Sequence, residues 1–123
     1  MNLDELFQQE GLGVMATAGV DGTVNTAVYA RPHRGEKGEL VWGMTEGKTW
    51  QNLRENPYAS FLFKSEGRGW SGARLKLKLT GIRELGELLE LIRQETVRVV
   101  SCQAAEAVCH AGYFSVEEVR PLI

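Results

Sequence analysis

The segment Arg74-Leu75-Lys76-Leu77-Lys78-Leu79-Thr80 alternates strictly between leucine and a charged or polar residue. Successive side chains on a strand point to opposite faces, so the pattern predicts a strand with leucines on a core and charges in water. One wet face suits an antiparallel sheet, because parallel strands are covered on both faces and read as continuous apolar runs. Any fold for this chain must be built around that strand.

The remaining segments fit the same plan. Leu3, Leu6 and Phe7 follow helical spacing, with Gly11 as the natural stop. Residues 13–18 predict a strand, Val20-Asp21-Gly22 a turn, and residues 23–31 the returning strand; Asp-Gly between two such runs marks a hairpin. Residues 32–38 read as a polar loop and residues 39–44 as a third strand. Residues 48–56 predict a short helix with Trp50 and Leu53 on one face, closed by Asn56-Pro57. Residues 58–64 form a fourth strand, and residues 65–72 a flexible loop that carries Trp70. Beyond the alternating strand, Leu85, Leu88, Leu89 and Ile92 mark an amphipathic helix. Residues 97–111 are ambiguous, with Ala104, Ala105 and Val108 favouring a second helix, and residues 113–120 predict the closing strand. No repeat or linker intervenes, so residues 1–123 read as a single α+β domain, mostly antiparallel, most economically a small closed or partly closed barrel.

Fourteen glycines against three prolines agree with many tight turns in a β-rich domain. A net charge of −2 gives no general attraction to nucleic acid or anionic membrane. No apolar run is long enough to span a membrane and the first residues are acidic, so a cytoplasmic protein is expected. Cys102 and Cys109 are placed on one helical face, about 10 Å apart and too far for a disulfide within that helix. Two thiols with His110 do not make a usual zinc site, so they read as buried thiols and no metal is expected. His33, in the polar loop, reads as a surface residue.

The chemistry gathers at Leu40 through Leu53, where a strand runs through Thr45-Glu46-Gly47 into a helix starting at Lys48-Thr49. Helix starts carry unpaired N–H groups and a positive dipole end, which attract phosphate. Gly47-Lys48-Thr49 suggests a nucleotide P-loop, but that pattern needs a glycine five residues before Gly47, where this chain has Trp42. The βαβ alternation of a P-loop domain is also missing. A site for one phosphate remains.

The order of hairpin, strand, Thr45-Glu46-Gly47-Lys48-Thr49, a helix with Asn52-Leu53-Arg54-Glu55-Asn56-Pro57, and an apolar strand resembles the FMN-binding split-barrel family of pyridoxamine 5′-phosphate oxidase-like flavoproteins. The resemblance extends from about residue 11 to residue 80, with an echo at Val116 to Leu122. It implies a six-stranded Greek-key split β-barrel with short flanking helices, forming a homodimer with FMN at the subunit interface. Carried over residue by residue, Lys48 and Thr49 hold the FMN phosphate with Thr45 assisting, and Asn25, Thr26 and Ala27 lie beside the ribityl chain and ring. Trp42, Gly43 and Met44 border the same cleft, and Trp70 and Ser71 reach the ring from the partner subunit. Neighbours on a strand point opposite ways, so only one of Asn25 and Thr26 can face the ring by its side chain. Trp42 and Trp50 also read as ordinary core residues. Glycine at position 43 lets the backbone approach a flat ligand.

Departures from the family narrow the expectation. The C-terminus Val119 to Ile123 carries a single arginine, and the second strand reads Val24-Asn25-Thr26-Ala27-Val28 without the family's arginine, so vitamin B6 oxidation is not expected. The leading expectation is a flavin-dependent oxidoreductase with an unassigned small-molecule substrate or redox partner and no named catalytic residue. The alternative is a non-enzymatic FMN-binding electron-transfer or flavin-sensing protein, and a deazaflavin or haem in the same cleft stays open. Arg68, Arg74, Lys76, Lys78 and Arg83 beside Trp70 would suit a nucleic-acid face, but the strand alternation explains them as solvated charges.

Overall fold

A computed structural model describes residues 2–84 and 86–123, with Cys102 described by its backbone alone. Leu85, expected to open the amphipathic helix, lies outside the described residues. The chain begins with a short helix, α1 (Leu3–Leu6), followed by strands β1 (Gly11–Ala18), β2 (Val24–Tyr29), β3 (His33–Arg34) and β4 (Leu40–Met44). Helix α2 (Lys48–Glu55) leads into β5 (Tyr58–Ser65) and β6 (Gly72–Arg83). Helices α3 (Glu87–Val99) and α4 (Cys102–Ala107) precede the last strand, β7 (His110–Pro121).

All strands join one antiparallel sheet in the order β2-β1-β5-β6-β7-β4-β3. The alternation in the sequence sits at its centre, where Leu75 and Leu77 are buried and Lys76 and Lys78 exposed. The sheet curls into a half-barrel. Trp42 on β4 and Phe61 on β5 are three strands apart in that order, yet their rings lie 4.8 Å apart. The Trp42 indole N–H also donates to Ala30 O at 2.8 Å, drawing β4 against the end of β2. Phe63, Phe114, Met15 and Leu40 complete this core.

Several expectations are corrected. Among the described residues there are seven strands rather than six: the extra one is β3, inside the segment read as a polar loop. Two residues carry no period, and β3 exists only because His33 pairs with Val41 and Arg34 with Leu40. Gly11 does not stop α1, which ends at Leu6; it opens β1, where a Cβ would lie 2.4 Å from Lys64 O. The ambiguous residues 97–111 divide between the end of α3, the α4 helix capped by Ser101 Oγ, and the start of β7. Cys109 therefore shares no helical face with Cys102, because α4 has ended and the Cys109 N–H already donates to Met44 O at 3.1 Å.

Helix α2 is fixed to β1 by a buried polar pair, Asn52 Nδ2 donating to Thr17 Oγ1 at 3.1 Å. Both residues are almost fully buried, so Asn52→Ala leaves the Thr17 hydroxyl without this partner. We expect a loss of about 1–3 kcal/mol, read from urea denaturation midpoints. Unchanged stability would show that the pair does not anchor the helix.

His33 is half-buried rather than a plain surface residue, and burial pulls its pKa down, with Glu95 opposing more weakly. The folded state thus binds a proton less readily than the unfolded chain. Stability should be intact above the ordinary value near 6.5 and fall as pH drops from there through the lower folded value. His33→Gln should flatten that acid slope in denaturation measured on either side of pH ~6.5.

Candidate functional site

Strand β4 ends at Met44, and Thr45-Glu46-Gly47 turns the chain into α2. The extended Gly47 starts the helix with no side-chain cap, and no acidic residue lies in the first turn. Lys48 is exposed at that end, a cation placed where the helix dipole is already positive. Among the described residues no carboxylate lies within ion-pair distance of it. Asp21 feels Lys48 only weakly; its carboxyl is held below the usual range chiefly by the Thr23 N–H, which donates to it at 3.0 Å. Uncapped N–H groups beside an unpaired ammonium make a site that an anion completes.

This helix start opens into a cleft of about 420 Å³ lined by residues 25–29 of β2, Gly43, Thr45, Gly47, Lys48 and Thr49. That volume lies in the range of small-molecule sites. Five consecutive strand residues cannot all present one face, so the cleft runs along the free edge of β2, an outermost strand with unpaired backbone groups. Asn25 Nδ2 donates to Thr49 Oγ1 at 3.3 Å, which fixes the Thr49 side chain against β2. Tyr29 stands on the same face as Asn25, and burial pushes its phenol up, against a smaller pull from the Thr49 hydroxyl.

Asn25, Thr26, Ala27, Gly43, Thr45, Lys48 and Thr49 thus come together in one cleft. Met44 does not line it and is buried in the core; Trp42, packed against Phe61 and Phe114, instead borders a second, adjoining hollow. Trp70 and Ser71 lie in the β5–β6 turn, whereas α2 enters β5 at its other end. The seven steps along this eight-residue strand, at about 3.4 Å each, separate those ends by ~24 Å, so neither residue reaches the cleft within one chain. Trp70 is exposed, with Lys64 Nζ 5.9 Å from its ring. Gly43, which lines the cleft, also serves the packing behind it. A Cβ there would lie 2.5 Å from Ile92 Cγ2 and 2.8 Å from Val108 Cγ1, so its bareness admits α3 and the segment after α4.

Sequence reasoning missed Tyr29. The signal was present: Asn25, Ala27 and Tyr29 recur at the strand period of two, and all three are half-buried while Val24, Thr26 and Val28 are exposed. The second hollow, of about 620 Å³ and lined by β1, residues 28–33, Trp42 and α3, shares Val28, Tyr29 and Gly43 with the cleft. Its surface is mostly apolar, with Glu10, Arg31, His33 and Glu95 also on its border. A polar end with a cation therefore adjoins a mostly apolar one.

No protein-family model matches the sequence, and no curated protein matches it. Solved structures do. An FMN-binding protein from Syntrophomonas wolfei subsp. wolfei superposes with a TM-score of 0.81 at 16% identity, over 97% of this chain and 82% of that one. A pyridoxamine 5′-phosphate oxidase-like protein from Listeria innocua gives 0.74 at 16% identity, over 98% and 94%. HutZ, the haem storage protein from Vibrio cholerae, gives 0.70 at 11% identity, over 97% and 91%. The likeness is one of fold, and it agrees with the resemblance to FMN-binding split-barrel proteins carried by the sequence.

Proposed function

We propose that this chain, folded like the FMN-binding split-barrel proteins, binds FMN and acts as a flavin-dependent oxidoreductase. The observation that carries the reading is the uncapped start of α2, with unpaired Lys48 at the mouth of a cleft that adjoins a mostly apolar hollow. FMN has the same polarity: a dianionic phosphate, a hydroxylated chain and a flat apolar ring.

In this reading the Lys48 ammonium, the Thr45 hydroxyl and the amides at the start of α2 hold the phosphate. Thr49 offers its backbone N–H, and its hydroxyl, which accepts from Asn25 Nδ2, keeps its own proton free to donate. The free edge of β2 offers N–H and C=O groups to the heteroatoms of the ring, which extends from Asn25 toward Val28 and Tyr29. Bound flavin supplies the hydride or electron chemistry; the chain binds it, orients it and shields one side from water. Among the described residues the cleft lining holds no His, Cys, Asp or Glu, while the adjoining hollow is bordered by Glu10, His33 and Glu95. The cleft itself suits transfers in which the flavin alone reacts, and it also suits a second reading, an electron carrier or flavin sensor without turnover. Oxidation of NADH or NADPH by the flavin-loaded protein separates the two.

The proposal includes a homodimer. On the outer face of the sheet, Val28, Val14 and Leu62 lie side by side in register across β2, β1 and β5. Val28 is 73% exposed and Leu12 51%, an apolar strip that a second copy would cover. Such a dimer would bring a partner's Trp70 and Ser71 to the cleft that they cannot reach within one chain.

Titration with FMN and with riboflavin tests the phosphate clamp. FMN should bind at least tenfold more tightly, because a charge-assisted contact contributes about 1.5–3 kcal/mol. Equal affinities would remove the role given to Lys48 and α2.

A further inference from the structure

On the other side of the Thr45-Glu46-Gly47 turn lies a group that the flavin reading does not use. His110 opens β7 with its side chain 92% buried, stacked on Trp50 of α2 at 3.9 Å between ring centroids and 9° between planes. Among the described residues neither ring nitrogen has a hydrogen-bond partner. Glu46 Oε1 lies 3.4 Å from Nε2 and Glu84 Oε1 lies 3.3 Å from Nδ1, but neither is aligned to accept an N–H. Both carboxylates belong to largely exposed side chains. Donor atoms of Glu46, Cys109 and His110 all lie within 4.8 Å of one another.

We infer that Glu46, Cys109 and His110 form a binding site for a divalent cation of the zinc class. One thiol, one imidazole and one carboxylate match zinc's ligand preferences, while calcium and magnesium require mainly oxygen. At tetrahedral angles and zinc bond lengths, neighbouring donors stand roughly 3.3–3.8 Å apart. Any gap left to close is at most about 1–1.5 Å: Glu46 Oε1 already lies 3.4 Å from Nε2, and its exposed side chain can move while His110 stays in place against Trp50. Glu84 is the carboxylate nearest Nδ1, and a turn of its exposed side chain lets it take the Nδ1–H once metal binds, leaving Nε2 as the ligand on the side of Glu46. Burial and then the Glu46 carboxylate push the Cys109 thiol up, and a cation between them turns that repulsion into shared ligation. Nearby, Arg93 is occupied, its Nε donating to Val108 O at 2.7 Å and Nη1 to Glu90. Lys48 stands two residues from Glu46, on the flavin side of the turn. Three protein ligands leave a fourth position open to water or a small ligand.

The site stands apart from the flavin proposal, and FMN-free protein tests it. Cobalt(II) titrated into metal-free protein should bind one per chain and give the near-ultraviolet charge-transfer band of a thiolate ligand. Cys109→Ser should abolish that band while the far-ultraviolet circular dichroism is unchanged. Glu46→Gln, at an exposed position, should weaken binding at least tenfold, and Glu84→Gln by about ten- to a hundredfold. Zinc should raise the Tm of the parent protein and not of Cys109→Ser. No cobalt binding overturns the inference, leaving His110 as an ion-pair partner of the two glutamates. A band that persists in Cys109→Ser overturns it as well, by placing the metal on another thiol.

Discussion

Lys48→Ala should lower FMN affinity about ten- to a hundredfold, the loss of one charge-assisted contact to a phosphate. It should leave riboflavin binding unchanged, because riboflavin has no phosphate to lose. The same substitution should make the ligand-free protein slightly more stable. Lys48 is exposed at the first position of α2, and its charge opposes the dipole there, at a cost of about 0.3–1 kcal/mol. Weaker FMN binding with an equal or higher Tm in the free protein separates a ligand contact from a structural one. Lys48→Arg should retain most of the affinity. If Lys48→Ala lowers stability and leaves FMN affinity unchanged, the residue belongs to the scaffold.

The second large effect is on the scaffold. Phe61→Ala should cost about 3–5 kcal/mol, the range for removing a buried phenylalanine. Phe61 is fully buried, with its ring 4.8 Å from Trp42 and 6.3 Å from Phe7. It is the contact through which β5 meets β4 across the hollow of the curled sheet. With it gone, Trp42 keeps its ring contact with Phe114 alone, and the bond from Trp42 to Ala30 that holds β4 against the end of β2 weakens. A domain of this size has a total stability of about 5–15 kcal/mol, so a large share disappears. Urea denaturation gives the loss, and the near-ultraviolet signal of the tryptophans should weaken in the native baseline. A loss under ~1 kcal/mol would mean that the curl does not depend on this contact.

What was legible in the sequence follows from how local each signal is. The Arg74–Thr80 alternation, the Asp21-Gly22 turn and the helix start at Lys48 are set by near neighbours, and all three appear as expected. Strand β3 was not legible, because two residues form a strand only through pairing with β4. Gly43 and Trp42 are adjacent in sequence, yet β alternation and the curl send them to different places. Trp42 enters the core, while Gly43 lines the cleft and makes room for Ile92 and Val108. Tyr29 was within reach by counting in twos from Asn25. The grouping of Glu46 with Cys109 and His110 was not, since it arises only where β4 pairs with β7, Met44 opposite His110. Asn52-Leu53, part of the family resemblance, shows its use in the fold: Asn52 ties α2 to β1 and Leu53 fills the core.

The central claim is that the Lys48 cleft takes FMN. Its most direct measurement is the absorption spectrum of the protein after incubation with FMN and gel filtration. Flavin bands that co-elute with the protein at about one per chain, and that are much reduced for Lys48→Ala, are the predicted result. A protein that elutes without flavin bands, or one that keeps them undiminished in Lys48→Ala, would contradict the account.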